Sequence, residues 1–304
     1  MEVKLGAIQL ECKKDKDDNL RRALALVEQA GKAGVQALTM PDYWYTGLPQ
    51  KGMNLEDLRG VATTFPGPIT DKFAALTKKY GMYIFPGTLL EREGDKVYCS
   101  SPLIGPEGEI IGIVRKFHPE NAPVKAETSS GVTPATDEYQ VFETDIGNLS
   151  IMLDMDICAI EQARILALKG ADVIFFPAAW GDILENLITI YAQATALYTA
   201  CVVVIANLAG PVDSCVGPIP CEGGSGIMLF KVHDFEAGKK ATVDYVVRAH
   251  SYQDDLVHAS IDYKWIRKRQ QMISDFYPIF RRPETYGLLL DREADQRRHH
   301  GKYI

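Results

Sequence analysis

A chain of 304 residues and 33.7 kDa can bury a large core, and α/β folds of this length often form one domain, so a single domain over 1–304 is expected. The composition, 46% hydrophobic and 24% charged, is ordinary for a globular protein, and no apolar run approaches the roughly 20 residues of a membrane span, which excludes a transmembrane protein. With 33 basic against 40 acidic side chains, a net charge of −7 and no Lys/Arg block interleaved with aromatics, nucleic acid is not an expected partner.

The opening MEVKLGAIQL enters a strand pattern over residues 3–10 without a signal core or cleavage site, so a cytoplasmic location is the expectation. An acidic, polar stretch follows, and then Leu20, Leu24 and Val27 recur at helical spacing. Gly31 and Gly34 close that helix, and residues 37–40 form a short apolar strand ending at Pro41, which makes a βαβ unit. Residues 71–80 read as helix and 82–86 as a buried strand, while 97–103 and 109–114 flank Gly105, Pro106 and Gly108 as a hairpin. The sheet is therefore mixed. Strands follow at 139–143 and 149–153, a helix over 161–169 stops at Gly170, and 173–176 is another buried strand.

Along 184–200 the residues Leu184, Leu187, Ile188 and Tyr191 share one helical face, and the apolar, β-branched run 201–206 suits a strand covered on both sides. Strands at 225–230, 242–247 and 257–261 complete the sheet, and the charged stretch from about 263 to 304 is a C-terminal extension, solvated or packed on another subunit. Strands separated by helices give a layered α/β fold, and sheet-on-sheet packing accounts for so many strands. Cys12, Cys99, Cys158, Cys201, Cys215 and Cys221 lack CxxC spacing and read as buried, reduced thiols. No His/Cys/carboxylate set has ligand spacing and GPIPCEGGSG lacks the order of a phosphate loop, so no metal and no cofactor are expected.

The blocks LTMPDYWYTG, GPEGEIIGIVRKFH and IMLDMDICAIEQARILALKGADVIFFPAAW together resemble the nitrilase superfamily of carbon–nitrogen hydrolases, and VVVIAN, CEGGSGIML and RRPETY extend the similarity over nearly the whole chain. The resemblance implies a four-layer αββα sandwich and a Glu-Lys-Cys triad. Here Asp42 stands in the glutamate's place, Lys116 is the lysine, and Asp154 stands where the cysteine belongs. FETDIGNLSIM before Asp154 and ALKGADVIFFPAAW after it fix that register, so moving Cys158 into the slot would break both. The family's Arg-Ala-x-Glu-Asn helix is missing, since residues 195–199 stand there. The resemblance also makes Glu127 the additional pocket glutamate, with Glu120 competing for that role. It puts Tyr43, Trp44, Tyr45 and Trp180 in the pocket wall, with core packing as the alternative, above all for Trp44; Met155 is a further candidate for substrate binding.

In the family the glutamate is the base, the lysine stabilises the oxyanion and the thiolate attacks. A carboxylate is a far poorer nucleophile toward an amide, and its mixed-anhydride product is more reactive than the amide, so the thioester route is closed. Glu to Asp at position 42 also withdraws the carboxylate by one methylene. Asp42, Lys116 and Asp154 would form a carboxylate–ammonium–carboxylate cluster, which suits proton transfer better than acylation. If a pocket glutamate points inward, the pocket prefers an amine, amidinium or guanidinium.

The expected function is acid/base chemistry (hydrolysis, cyclisation or dehydration) at a C–N bond of a small, cationic nitrogen compound. The alternative is a catalytically inactive, nitrilase-like pseudoenzyme serving as a ligand-binding or partner subunit, with Asp154 merely paired to Lys116. Cys158 reads as a small packed hydrophobe and His118 as a solvated or hydrogen-bonded side chain. The resemblance further implies a homodimer or larger assembly through 161–169, 184–200 and the chain's end. Ile160, Ile165, Leu168, Ile190 and Leu197, lying beyond one apolar stripe, are consistent with it.

Overall fold

The computed structural model describes residues 2–291 apart from 122–123, 182–185, 233–240, 251, 265, 269 and 272–281. Two mixed sheets lie face to face, each covered outside by helices, which is the αββα sandwich. In the first sheet β1 (Glu2–Glu11), β2 (Ala37–Thr39) and β3 (Tyr83–Phe85) run parallel, and β14 (Asp255–Asp262) lies antiparallel along β1. Beyond β3, β5 (Lys96–Ile104) pairs with both β4 (Leu89–Glu93) and β6 (Ile110–Arg115).

The second sheet is built on parallel β8 (Gly147–Ile151), β9 (Val173–Ala178) and β10 (Val202–Ser214). Its antiparallel flanks are β7 (Phe142–Thr144) on one side and β12 (Gly226–Val232) with β13 (Ala241–Arg248) on the other. The sheets join where Leu10 and Glu11 pair with Leu208 and Ala209 of β10, and β11 (Gly217–Glu222) folds back along β10.

Period-two alternation sorts each strand's side chains between core layers. From β1, Val3, Leu5 and Ala7 enter the layer between the sheets while Ile8 and Leu10 face the helices α1 (Lys16–Lys32) and α3 (Pro68–Tyr80). From β9, Val173 and Phe175 enter the same middle layer, while Ile174 and Phe176 face α5 (Ile160–Leu168) and α6 (Leu187–Thr199). The middle layer is knitted by aromatic contact, with the Phe85 and Phe175 ring centroids 5.3 Å apart. Asp15 starts α1 by accepting from the Asp17 and Asp18 amides, satisfying donors that the first turn leaves open.

Among the described residues, the α-helices and strands additional to those expected are the short helices α2 (Leu55–Val61) and α4 (Glu127–Ser130) and the strands β4 and β11. The strand expected at 201–206 continues to Ser214, and the one expected at 139–143 is only Phe142–Thr144. Leu184, placed in α6 by its periodicity, lies outside the described residues, as does most of 263–304. The start of that extension packs on the chain itself: Tyr263 and Ile266 enter the middle layer, and Arg267 pairs with Asp172 at 2.8 Å. Among the described residues no helix is long and apolar enough to cross a membrane.

Because Phe175 is fully buried between the sheets, Phe175→Ala should lower unfolding stability by about 3–5 kcal/mol through lost burial and a retained cavity. A denaturant titration would read this as an earlier midpoint at unchanged slope; a loss under about 1 kcal/mol would contradict a close-packed middle layer.

Candidate active site

The C-terminal ends of β2, β6 and β8 converge on one buried point. Asp42 follows β2 through Pro41, and its amide donates to the Ala178 carbonyl at the end of β9, tying the two sheets together there. Lys116 follows β6, and its amide donates to the Cys99 carbonyl. Asp154 opens a single 3₁₀ turn (Asp154–Cys158) after β8, and Glu127 is the first residue of α4. Tyr43 and Asp154 both have left-handed backbone, at φ 51° and 52°. That conformation costs about 1–3 kcal/mol in a non-glycine residue and persists only where the surroundings over-determine it.

Asp42, Lys116, Glu127 and Asp154 are all buried in one network. The Lys116 ammonium donates to both Glu127 oxygens, at 2.7 and 3.0 Å, and to Asp154 Oδ2 at 2.9 Å. A second ammonium completes it: Lys125 Nζ is 3.0 Å from Asp42 Oδ2 and also pairs with Asp154 Oδ2, with its side chain only 2% exposed. Asp154 Oδ1 accepts from the Trp180 indole at 2.8 Å and the Ala179 amide at 3.2 Å. Glu127 additionally accepts from the Tyr43 hydroxyl at 2.8 Å and from the Glu120 amide.

Three carboxylates, Asp42, Glu127 and Asp154, thus face two ammoniums, Lys116 and Lys125. Burial alone would raise the Asp154 carboxyl, but the two lysines and their hydrogen bonds hold it far below the usual carboxylate range. Burial works against both ammoniums as well, yet the surrounding carboxylates keep them charged, with pKa values above the ordinary lysine range. Asp42 goes the other way: burial pushes its carboxyl up to about 6, only partly opposed by Lys125. Its Oδ1 has no hydrogen-bond partner among the described residues. Asp154, accepting from four donors with its carboxyl held low, is a weak base and an enclosed nucleophile.

Beside the network lies a cavity of about 310 Å³, walled by Val124, Met155, Trp180, Leu187, Ile188 and Ile219 among others. Of the five charged network residues only Lys125 is on its wall. Glu120, Glu222 and Arg248 are the other charged groups on the wall among the described residues.

The structure therefore brings Asp42, Lys116, Asp154 and Glu127 together and puts Met155 and Trp180 on the cavity wall. Tyr43 does not reach that wall; it is enclosed against Glu127 and Cys99. Of the two competing glutamates, Glu127 joins the network and Glu120 lines the cavity. Cys158 lines the cavity, but burial pushes its thiol up, while Cys99 is fully buried beside Glu127 with its thiol raised well above the ordinary value. Neither is an activated nucleophile. None of the six cysteines is in a disulfide, though Cys12, Cys158 and Cys215 are half-buried rather than buried. His118 pairs with Asp156 at 2.8 Å, away from the cavity.

Sequence reasoning missed Lys125. It sits in a proline-containing polar loop two residues before Glu127, where a lone lysine reads as solvated. The only signal was electrostatic: three acidic residues proposed for one site, with one lysine to balance them, call for another cation. Among the described residues no group of three His, Cys, Asp or Glu side chains is arranged to hold a metal ion.

A family model described as carbon–nitrogen hydrolase matches residues 4–246. Omega-amidase NIT2 of Bos taurus is 28% identical over 181 residues, 58% of this chain and 63% of that protein. A nitrilase of Pyrococcus abyssi is 31% identical over 192 residues, 62% of this chain and 67% of that protein. The chain thus spans less than two thirds of the length of the first of these relatives. The crystal structure of the carbon–nitrogen hydrolase from Helicobacter pylori G27 superposes with a TM-score of 0.79 over 96% of this chain and 99% of that one, a likeness of fold at 21% identity.

If Lys125 balances Asp42 and Asp154, Lys125→Met should cost about 3–5 kcal/mol in a denaturant titration, because it leaves buried carboxylates unpaired. Adding Asp42→Asn should recover part of that loss, so the double variant is less destabilised than the sum of the singles. Strict additivity would show that the two side chains do not interact.

Proposed function

The chain belongs to the carbon–nitrogen hydrolase family, and from that membership we propose that it is a small-molecule-binding protein whose centre is locked by ion pairs instead of armed with a nucleophile. The observation that carries this reading is Lys125, whose ammonium holds both Asp42 and Asp154 while the residue itself lines the cavity. Acylation needs an exposed, activated nucleophile beside an oxyanion-stabilising donor. Here the nucleophile position is a carboxylate already accepting four hydrogen bonds. The cavity remains concave and largely apolar with a few polar groups, which is what a small-molecule site requires.

One observation favours a second function, non-covalent acid/base chemistry at a C–N bond. Asp42 has an unpartnered buried oxygen among the described residues and a carboxyl near 6, suited to a general base at neutral pH. With Lys125 swung aside, Asp42 would take a proton from water as the water oxygen bonds to a carbonyl carbon. A lysine ammonium would stabilise the oxyanion, and the proton would pass to the departing amine as the C–N bond breaks. Cyclisation or dehydration could use the same groups.

The functions separate on incubation with an activated ester and a panel of short amides and nitriles. The locked centre predicts saturable binding in calorimetry, no acyl adduct in the intact mass and no turnover above the protein-free blank. Turnover that rises with pH as Asp42 loses its proton, with its midpoint above about 6 because a displaced Lys125 no longer holds that carboxyl down, and that disappears in Asp42→Asn would establish the second function instead.

The partner proposed for this chain is a second copy of itself. Ile160, Leu168, Ile190 and Leu197 are exposed on α5 and α6, which pack side by side, and such a patch is costly on a monomer. Sedimentation should give a mass above the 33.7 kDa monomer; that monomer mass across a dilution series would refute self-association.

A further inference from the structure

Four charged side chains line the cavity among the described residues: Glu120, Lys125, Glu222 and Arg248. Lys125 is consumed by Asp42 and Asp154, and Glu222 accepts from the Tyr252 hydroxyl at 3.4 Å. Glu120 and Arg248 differ from these. The Glu120 carboxylate has neither an ion pair nor a side-chain hydrogen bond to any described residue, and burial pushes its carboxyl up to about 7, only partly opposed by the charge of Lys125.

Arg248 likewise has no carboxylate within salt-bridge distance among the described residues, yet its guanidinium is held in place. It lies 5.1 Å from the Tyr245 ring centroid, in cation–π contact, and packs over Gly224. A Cβ at position 224 would come 3.0 Å from Arg248 Nη2, and φ there is +71°, so glycine at that position both permits the turn and makes room for the guanidinium. An arginine braced on the cavity wall without an anion carries a planar donor fork, the group that takes a carboxylate through two parallel hydrogen bonds.

Two unpaired charges of opposite sign on one largely apolar cavity require a ligand that carries both. We propose that the cavity binds a zwitterion, its cationic nitrogen group on the Glu120 carboxylate and its carboxylate on the Arg248 guanidinium, with an apolar spacer between them. This rests on the cavity-binding function proposed above and names its ligand class. It also revises the expectation of a simply cationic ligand: Glu127 and Asp154 are neutralised within the network, so the wall offers one unpaired charge of each sign instead of an anionic surface.

The test is calorimetric titration with α,ω-amino acids of graded length, from 4-aminobutyrate to 6-aminohexanoate, against pentylamine, pentanoate and neutral pentanamide. At least one amino acid should bind about tenfold or more tighter than any of the singly charged or neutral probes, the worth of one charge-assisted contact. Arg248→Gln should abolish that advantage over pentylamine, and Glu120→Gln the advantage over pentanoate, each variant being checked for an unchanged melting temperature. Arg248→Lys, which keeps the charge but loses the fork, should fall between. Equal binding of zwitterionic and singly charged probes, or insensitivity to both Gln variants, would overturn the proposal while leaving a binding cavity intact. Failure of every probe, pentanamide included, would overturn the cavity-binding function as well.

Discussion

The Lys125 ammonium, bridging Asp42 and Asp154, is the interaction on which the site depends. Without it, three carboxylates would share a dry pocket with the single ammonium of Lys116, an arrangement that burial makes very costly. With it, the carboxylates are held in fixed geometry and Asp154 remains ionised. The same lysine lines the cavity, so one residue both balances the network and borders the space beside it.

The sandwich explains why these residues meet. Parallel strands in both sheets end at the same edge, and the amide of Asp42 reaches across to β9. Ligands in α/β folds bind outside the carboxyl ends of such strands. The family scaffold is therefore preserved, and the fold constrains function only to a place, with the side chains deciding what happens there.

Much of this was legible in the sequence because burial leaves periodic marks. The run at 201–206 announced a doubly covered strand, and FETDIGNLSIM with ALKGADVIFFPAAW fixed Asp154 at the strand-to-turn elbow. What escaped were elements whose residues look like breakers. Strand β11 carries Pro218 and Pro220 and is tolerated because it pairs with β10 alone, and β10 itself passes through Gly210 and Pro211. The short helix α2 was marked only by its Asn54–Asp57 capping box. Lys125 escaped because a buried lysine is recognisable only by its partners, which lie 83 and 29 residues away in sequence.

The charge state of Lys125 tests the account most directly. In ¹⁵N NMR of the lysine side chains, with the signal assigned by its loss in Lys125→Arg, a locked ammonium should exchange its protons slowly. It should also remain charged at pH values above about 10.4, where ordinary lysines lose their proton. A Lys125 that is neutral near pH 7, or that titrates and exchanges together with the surface lysines, would mean that the bridge between Asp42 and Asp154 does not exist in solution and that the carboxylates are open to the cavity.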